Sequence, residues 1–236
     1  MKFDIAFMFT ALEAALKYTP ITFILAIVPL IIGIFFGTLI AITRLFKIKI
    51  LGRVFQIIVV IFKAIPLVLQ ILIINFATIG YVDFLSEKFE WSFASKDINR
   101  IYIVIVAISI FSIVNISETI RGALISVDKG QYEAAYSVGL TRMQALRRII
   151  LPQAFPVAVP ALCNNFIGLI KSSSLAFIIS VTDLMNGALI TATSNYKYLE
   201  AYVASAIVYW VICITIEKAS YVLEKRLNVN VKGRIL

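Results

Sequence analysis

The stretch EAAYSVGLTRMQALRRIILP, residues 133–152, carries most of the information about the architecture of this chain. It is too polar to lie in lipid and too regularly patterned to be a slack linker. Thr141 and Gln144 have the spacing of a capping box, which marks the start of a helix. Gly139 stands just before them, where a preceding helix would stop, and Pro152 must end or kink the helix that follows. The stretch therefore predicts two short helices joined at Gly139.

The same kind of signal occurs a little earlier in the chain. Asp128 and Gln131 repeat the capping-box spacing, with a carboxylate in place of the usual hydroxyl. These signals together fill a polar segment, residues 118–156, that lies between long apolar stretches. We expect this segment to lie below a membrane that the apolar stretches cross.

The composition supports a membrane protein. The chain has 236 residues, of which 61% are hydrophobic and 15% charged, whereas an ordinary soluble domain is about half apolar and a quarter charged. Each apolar stretch must be helical, because an open sheet edge cannot persist in lipid. The predicted fold is an all-α integral membrane protein with five transmembrane helices in a single domain. The predicted spans are residues 18–43, 54–79, 101–117, 157–178 and 199–217.

The loops between these spans predict the orientation. The first seventeen residues resemble an interfacial lead-in rather than a cleaved leader. Lys and Arg concentrate in the loops on one side and in the carboxyl-terminal tail, which accounts for the net charge of +9 without nucleic acid as a partner. By the positive-inside rule, that side faces the cytoplasm. We expect a multi-pass cell membrane protein with its amino terminus outside and its carboxyl terminus in the cytoplasm.

Several kinds of chemistry are excluded or disfavoured by the residue types. The chain has no histidine, which removes imidazole metal sites and His-based acid–base catalysis. Cys163 and Cys213 both fall in apolar stretches, so we interpret them as packing residues rather than a disulfide or metal site. The chain also lacks a G-x-x-x-x-G-K-[ST] loop, so it cannot hydrolyse ATP by that route.

The polar stretch resembles the loop signature of ABC importer permeases, E-A-A-x3-G-x9-I-x-L-P, without a gap. The resemblance implies a type I ABC importer fold in which the first short helix is a coupling helix that sits in a groove on the ATP-hydrolysing subunit. ATP and Mg²⁺ would be bound by that partner, and this chain would bind no cofactor. The resemblance assigns the coupling role to Glu133, Ala134, Ala135, Gly139, Leu151 and Pro152.

Two further segments are similar to the polar amino acid branch of that family. FKAIPLVLQ, residues 62–70, resembles F-R-G-T-P-L-L-V-Q, and IKSSSL, residues 170–175, resembles L-K-D-T-S-L. Ser172 stands where many relatives have an acid, which makes arginine or lysine a less favoured substrate. The run SSSLAF and the segment YKYLEAY, residues 196–202, are most similar to the cystine and sulfur amino acid branch.

Polar residues inside the spans are candidates for a substrate pathway, because they are costly in lipid. The candidates are Gln70, Asn115, Glu118, Asn164, Asn165, Lys171, Ser172, Ser173 and Ser174. Lys171 and the three serines form the strongest group, since an ammonium and hydroxyls suit an amino acid substrate. Each candidate has a simpler interpretation: Lys171 can snorkel to the interface, Asn164 and Asn165 can bond across helices, and Glu118 can pair with Arg121 three residues away.

The predicted function is thus the permease subunit of an ATP-driven importer for a polar amino acid. The expected partners are ABC ATPase subunits, an external substrate-binding protein, a second permease subunit (identical or related) and the lipid bilayer. An alternative within the family is a permease for another small solute, such as an opine. A passive channel-forming helix bundle is the alternative from another class, and a membrane enzyme is a third.

Overall fold

The computed structural model describes residues 3–232, and all regular secondary structure in that range is helical. The α-helices of this range are α1 (Ile5–Leu45), α2 (Leu51–Ala64), α3 (Leu67–Phe89), α4 (Arg100–Ile125), α5 (Lys129–Ser137), α6 (Arg142–Ala145), α7 (Leu151–Ser172), α8 (Leu184–Thr191) and α9 (Tyr198–Lys232). Short 3₁₀ segments cover Ser95–Asp97 and Ser173–Ile179, and a π-helical turn covers Leu146–Ile150.

Five helical segments of the described range are long and apolar enough to cross a membrane, which confirms the predicted fold class. They are Ile5–Leu45, Leu67–Phe89, Arg100–Ile125, Arg142–Ile179 and Tyr198–Leu227. Their outward faces carry many exposed Ile, Leu, Val and Phe side chains, as expected for surfaces that contact lipid.

The first span differs from its prediction, because residues 5–17 are part of the same helix rather than a separate lead-in. α1 is a continuous helix of 41 residues that starts after the N-cap Asp4. Its first turns are not lipid-facing on every side: Ala11 and Ala15 are fully buried against small residues of α8 and α9. Residues 5–17 are therefore helical because of tertiary packing, although their charged residues kept them out of the span predicted from hydropathy.

The second predicted span, residues 54–79, is divided in the structure. Pro66 has no N–H to donate, and Ile65 before it adopts an extended backbone (φ −87°, ψ 123°), so the helix breaks there. The apolar helix that crosses is α3, and α2 is a separate amphipathic helix. The Gln70 side chain bridges the break, with its Nε2 2.8 Å from the carbonyl oxygens of both Phe62 and Ile65.

The remaining helices extend beyond the predicted spans. α4 runs to Ile125, so Glu118 lies on a helix and not in the polar loop. Pro152 does not end the helical path: it lies in the first turn of α7, directly after the π turn that joins α6 to α7. The proline is tolerated because the π turn before it shifts the backbone bonding by one residue, with the Leu151 N–H donating to the Leu146 carbonyl. The hydropathy of the chain also gave no sign of α8.

The core of the bundle is the close contact of α1 with α4. Gly33 and Gly37, one helical turn apart, face Ser112 and Ser117 of α4. A Cβ atom on Gly37 would lie 3.0 Å from the backbone nitrogen of Ser117. This small-xxx-small spacing lets two helix backbones approach in a membrane, where association depends on packing rather than on the hydrophobic effect.

Candidate functional site

The predicted coupling segment begins with α5. Asp128 is its N-cap, but its carboxylate accepts from the Gly130 N–H at 2.7 Å, so no reciprocal box with Gln131 forms. The helix ends at Gly139, whose φ of +80° is the left-handed conformation that glycine adopts at low cost. The Gly139 N–H donates to the Tyr136 carbonyl at 3.0 Å, and the next N–H donates to the Ala135 carbonyl at 3.1 Å. This is a Schellman termination, as the sequence predicted for Gly139.

One side of α5 packs on the protein and the other is free. Ala135 is buried, and the Tyr132 hydroxyl donates to the Leu124 carbonyl at 3.0 Å, which joins α5 to the end of α4. Burial raises the pKa of the Tyr132 phenol above its ordinary value. Glu133 and Ala134 are exposed on the other side. The exposed side also presents apolar groups, since Tyr136, Val138 and Met143 are 41%, 76% and 60% exposed.

The second half of the segment connects this surface to α7. Thr141 and Gln144 form the predicted capping box, with bonds of 2.9 and 3.3 Å. Leu146 and Ile150 of the π turn are fully buried, whereas Leu151 and Pro152 are exposed. A side-chain bond of 3.2 Å from Gln153 to Gln131 ties the start of α7 to α5. The start of α7 is therefore fixed to α5 by packing and by a hydrogen bond.

A cleft of about 320 Å³ opens between α4 and α7. Pockets that bind small molecules range from roughly 300 to 1,000 Å³. The cleft is lined by Phe111, Ser112, Asn115, Asn164, Asn165, Gly168, Leu169 and Ser172. Four of the pathway candidates therefore lie together, at the helical spacings that place them on facing sides of α4 and α7.

The cleft presents neutral polar groups. The Asn165 amide donates to Thr119 of α4 at 2.9 Å, and the Asn115 amide donates to the Phe111 carbonyl at 2.8 Å. The Ser112 hydroxyl is buried and has no hydrogen-bond partner within the described range. No residue that lines the cleft carries a charge. Such a surface suits polar or zwitterionic groups through hydrogen bonds and offers no counter-ion to a charged side chain.

The other candidates lie outside this cleft. Lys171 is exposed beside it, and Ser174 donates to the Lys171 carbonyl at 2.8 Å. Ser173 is fully buried and faces Asp183. The Nε2 of Gln70 is occupied by the two carbonyl groups at the helix break, whereas its Oε1 is buried and has no partner among the described residues. The group that the sequence proposed is therefore divided: Ser172 lines the cleft, whereas Lys171, Ser173 and Ser174 do not.

Glu118 takes part in an ion-pair network. It bonds to Arg121 at 2.8 Å, as its spacing predicted, and it also pairs with Arg44 of α1. Its side chain is only 23% exposed and that of Arg44 11%. No local pattern predicts Arg44 as a partner, because the contact joins positions 74 residues apart.

Sequence reasoning missed the fully buried carboxylate of Asp183. It has no exposed surface and is the N-cap of α8, with the Asn186 N–H at 3.0 Å from Oδ1. Its Oδ2 accepts from the Tyr209 hydroxyl at 3.0 Å. The only available signal was an acidic residue before a short apolar run, which is typical of many exposed helix starts.

Comparisons with known proteins agree with this architecture. Residues 30–229 match the family model described as "Binding-protein-dependent transport system inner membrane component". The chain is 32% identical over 228 residues to the probable amino-acid ABC transporter permease protein PatM of Vibrio harveyi, covering 97% of this chain and 98% of that protein. It is 36% identical over 211 residues to the probable amino-acid permease protein YxeN of Bacillus subtilis (89% and 90% covered). It is 32% identical over 216 residues to the L-cystine transport system permease protein TcyL of the same organism (90% and 87% covered).

Solved structures are similar as well. A chain from the crystal structure of an amino acid ABC transporter with histidines superposes with a TM-score of 0.80 at 29% identity, covering 96% of this chain and all of that one. A chain of the MetNI methionine ABC transporter, at 19% identity and a TM-score of 0.69, shares the fold. The chain therefore belongs to the family of binding-protein-dependent transport system inner membrane components: it is the permease, a membrane-spanning transport subunit, of an ABC importer, and it is similar over most of its length to amino-acid permeases.

Proposed function

We propose that this permease imports a polar amino acid whose side chain carries no net charge, and that cystine or another sulfur amino acid fits best. The observation that carries this proposal is the lining of the cleft between α4 and α7, which has amides and hydroxyls but no charged side chain. Three amides and two hydroxyls offer both donors and acceptors to the ammonium and carboxylate of a zwitterion. A buried guanidinium or ammonium side chain would lack a partner there, which is costly.

Ser172 supports the choice against basic amino acids. It lines the cleft at the position where many similar permeases have an acid, so the acid that would pair with a cationic side chain is missing at this point. The similarity to an L-cystine permease points in the same direction.

The energy for import would come from a partner subunit. The exposed side of α5, with Glu133 and Ala134, would sit on an ABC ATPase, because it combines a fixed charge, a small residue and exposed apolar groups. Ala134 lets a partner surface approach closely. ATP and Mg²⁺ would be bound by that ATPase. A substrate-binding protein would deliver the amino acid at the other side of the membrane.

The remaining parts of the assembly follow from the basic loops and from the size of the bundle. The positive-inside rule puts α5 and the carboxyl terminus in the cytoplasm and the amino terminus outside. Five helices enclose only a small cleft, so a second permease subunit, identical or related, would complete the pathway.

Binding and uptake measurements test the substrate. The purified partner binding protein should bind cystine tightly, and a strain that lacks this permease gene should lose uptake of labelled cystine and regain it with the gene restored. Arginine, lysine and an opine serve as competitors. Tight binding of arginine with none of cystine would overturn the proposed substrate.

The cleft itself is tested by Ser172→Asp, with Ser174→Asp as the matched control. Ser174 is a near neighbour that does not line the cleft. We expect Ser172→Asp to reduce cystine uptake far more than Ser174→Asp, because a carboxylate in the cleft would repel the carboxylates of cystine and favour a substrate with a net positive charge. Equal effects of the two variants would show that the cleft is not part of the pathway.

Reconstitution with and without the ATPase distinguishes the importer from a passive channel, which would pass solute without ATP.

A further inference from the structure

The carboxylate of Asp183 connects three parts of the bundle. Its Oδ1 caps α8, its Oδ2 lies 3.0 Å from the Tyr209 hydroxyl of α9, and the Ser173 hydroxyl is 3.4 Å from the same Oδ2. A fourth bond joins this point to α1, since the Leu184 N–H donates to Thr22 Oγ1 at 3.0 Å. Asp183, Ser173 and Thr22 are all fully buried.

A carboxylate is more than the capping of α8 requires. A serine, threonine or asparagine caps a helix about as well as an aspartate and costs less to bury. Only Oδ1 serves the cap, whereas Oδ2 faces the hydroxyls of Ser173 and Tyr209, which belong to other elements. The second oxygen of Asp183 therefore connects the segment after α7 to α9.

That connection lies one residue from the cleft. Ser172 lines the cleft, and Ser173, its neighbour, begins the 3₁₀ segment that follows α7. The hydroxyl of Ser173 also lies 2.9 Å from the Ile170 carbonyl. Where the helix changes from α to 3₁₀, the direction of each side chain depends on how that change is fixed, because the two helices differ in residues per turn.

We propose that Asp183 is a positioning residue of the transport pathway, which sets the orientation of Ser172 in the cleft by holding Ser173 and Tyr209 together. Asp183 does not line the cleft, so it acts through Ser173. The functional consequence rests on the proposed role of the cleft. The structural part can be tested without knowledge of the substrate.

The structural test uses thiol labelling of membranes that contain the assembled transporter. Cys163 and Cys213 are replaced by alanine, and a single cysteine is placed at Ser172→Cys or, as the control on the other wall of the cleft, at Asn115→Cys. Asp183→Asn and Tyr209→Phe are introduced into each. Ser205→Ala, a buried hydroxyl also on α9 that bonds only within its own helix at 2.9 Å, is the matched control.

We expect Asp183→Asn and Tyr209→Phe to change the labelling rate at position 172 by about threefold or more, the size that follows from the loss of one net hydrogen bond. The rate at position 115 should stay constant, and Ser205→Ala should change neither rate. An unchanged rate at position 172, or equal changes at both positions, would overturn the proposal. If Asp183→Asn does not reach the membrane, the labelling rate at position 172 in Tyr209→Phe alone tests the proposal.

The functional test is the ratio of cystine imported to ATP hydrolysed, measured in proteoliposomes with the ATPase and the binding protein. A mispositioned Ser172 should lower this ratio in Tyr209→Phe at normal ATP hydrolysis, whereas poor folding would lower both rates together. An unchanged ratio with altered labelling would overturn Asp183 as a positioning residue for transport. If the unaltered transporter imports no cystine, the proposed substrate fails, and the labelling result still decides the role of Asp183.

Discussion

Gly33 of α1 lies so close to Ser112 of α4 that a methyl group on the glycine would stand 2.2 Å from the serine hydroxyl oxygen. The two helices cannot separate to make room without moving the buried residues between them. Because Ser112 also lines the cleft, the same contact fixes one wall of the proposed substrate site. Packing and function therefore depend on one pair of residues.

Gly33→Ala should lower the thermal unfolding midpoint of the detergent-solubilised protein, since overpacking of a tight contact costs about 1–3 kcal/mol. Gly122→Ala is the control, because a Cβ on that glycine of α4 would meet nothing within 4 Å. The control should leave the midpoint unchanged or raise it slightly, as alanine favours helix. Equal midpoints in the two variants would contradict the close contact.

Gln70→Met should destabilise the break between α2 and α3. It removes the donor that both the Phe62 and Ile65 carbonyls share, and an unpaired buried polar group costs about 1–3 kcal/mol. Gln56→Met, on the exposed surface of α2, is the control. Unfolding midpoints measured side by side should fall only for Gln70→Met, and a fall of the same size for Gln56→Met would show that the bridge contributes nothing.

Glu118 and Arg44 should be energetically coupled. Glu118→Gln leaves two arginines without their carboxylate, and breaking a buried pair from one side costs about 3–5 kcal/mol when burial is complete. The cost should be smaller here, because the Glu118 side chain is 23% exposed. A double-mutant cycle with Arg44→Met measures the coupling. Additive effects of the two substitutions would argue that the contact between α1 and α4 carries no net stabilisation.

Substitutions of Gly139 should reduce import in an order set by how well each residue adopts a positive φ. Its φ of +80° is costly for any side chain, by about 1–2 kcal/mol, and least so for asparagine. Import should therefore fall from the unaltered protein to Gly139→Asn, then Gly139→Ala, then Gly139→Pro, while ATP hydrolysis falls less. Glu133→Lys should uncouple the two activities in the same way. Normal import by Gly139→Pro and Glu133→Lys would show that the turn does not transmit energy.

The pairing of Asp4 with Lys197 predicts a pH effect on stability. The hydrogen bond from Lys197, at 2.5 Å, lowers the pKa of Asp4 below its ordinary 3.8. A lowered folded-state pKa adds stability above the unfolded value, which is lost as the pH falls through the folded value. The midpoint difference between the unaltered protein and Asp4→Asn should be present at pH 6 and shrink below about pH 4. A difference independent of pH would assign the effect to helix capping instead.

Local signals in the sequence were reliable where neighbours alone decide the structure. The capping box of Thr141 and Gln144 and the turn at Gly139 formed as predicted, because both depend on residues within one helical turn. The break at Pro66 could also have been predicted, since a proline within an apolar run interrupts a helix. It was missed because the residues on both sides are apolar and form one continuous stretch of high hydropathy.

The parts that failed depend on contacts between distant segments. The partner of Glu118 on α1 and the hydroxyl partners of Asp183 are set by how helices pack, which no spacing rule contains. A span predicted from hydropathy ends at the first charged residue, whereas α1 and α4 continue past it because buried residues pack at their ends. Four cleft residues were found by their polarity, and Phe111, Gly168 and Leu169 gave no comparable signal.

The helical path from Arg142 to Ile179 is unbroken, with a π turn near one end and a 3₁₀ segment at the other. Its two irregular windings are the places where a turn can be gained or lost, and Pro156 and Pro160 each leave out a backbone hydrogen bond in the stretch between them. A rotation of the helical path at its start, beside Gly139, would then rotate Ser172 near its other end. In that case substitutions that destabilise the helix in the middle of α7 should reduce import while leaving the structure at both ends of the path unchanged.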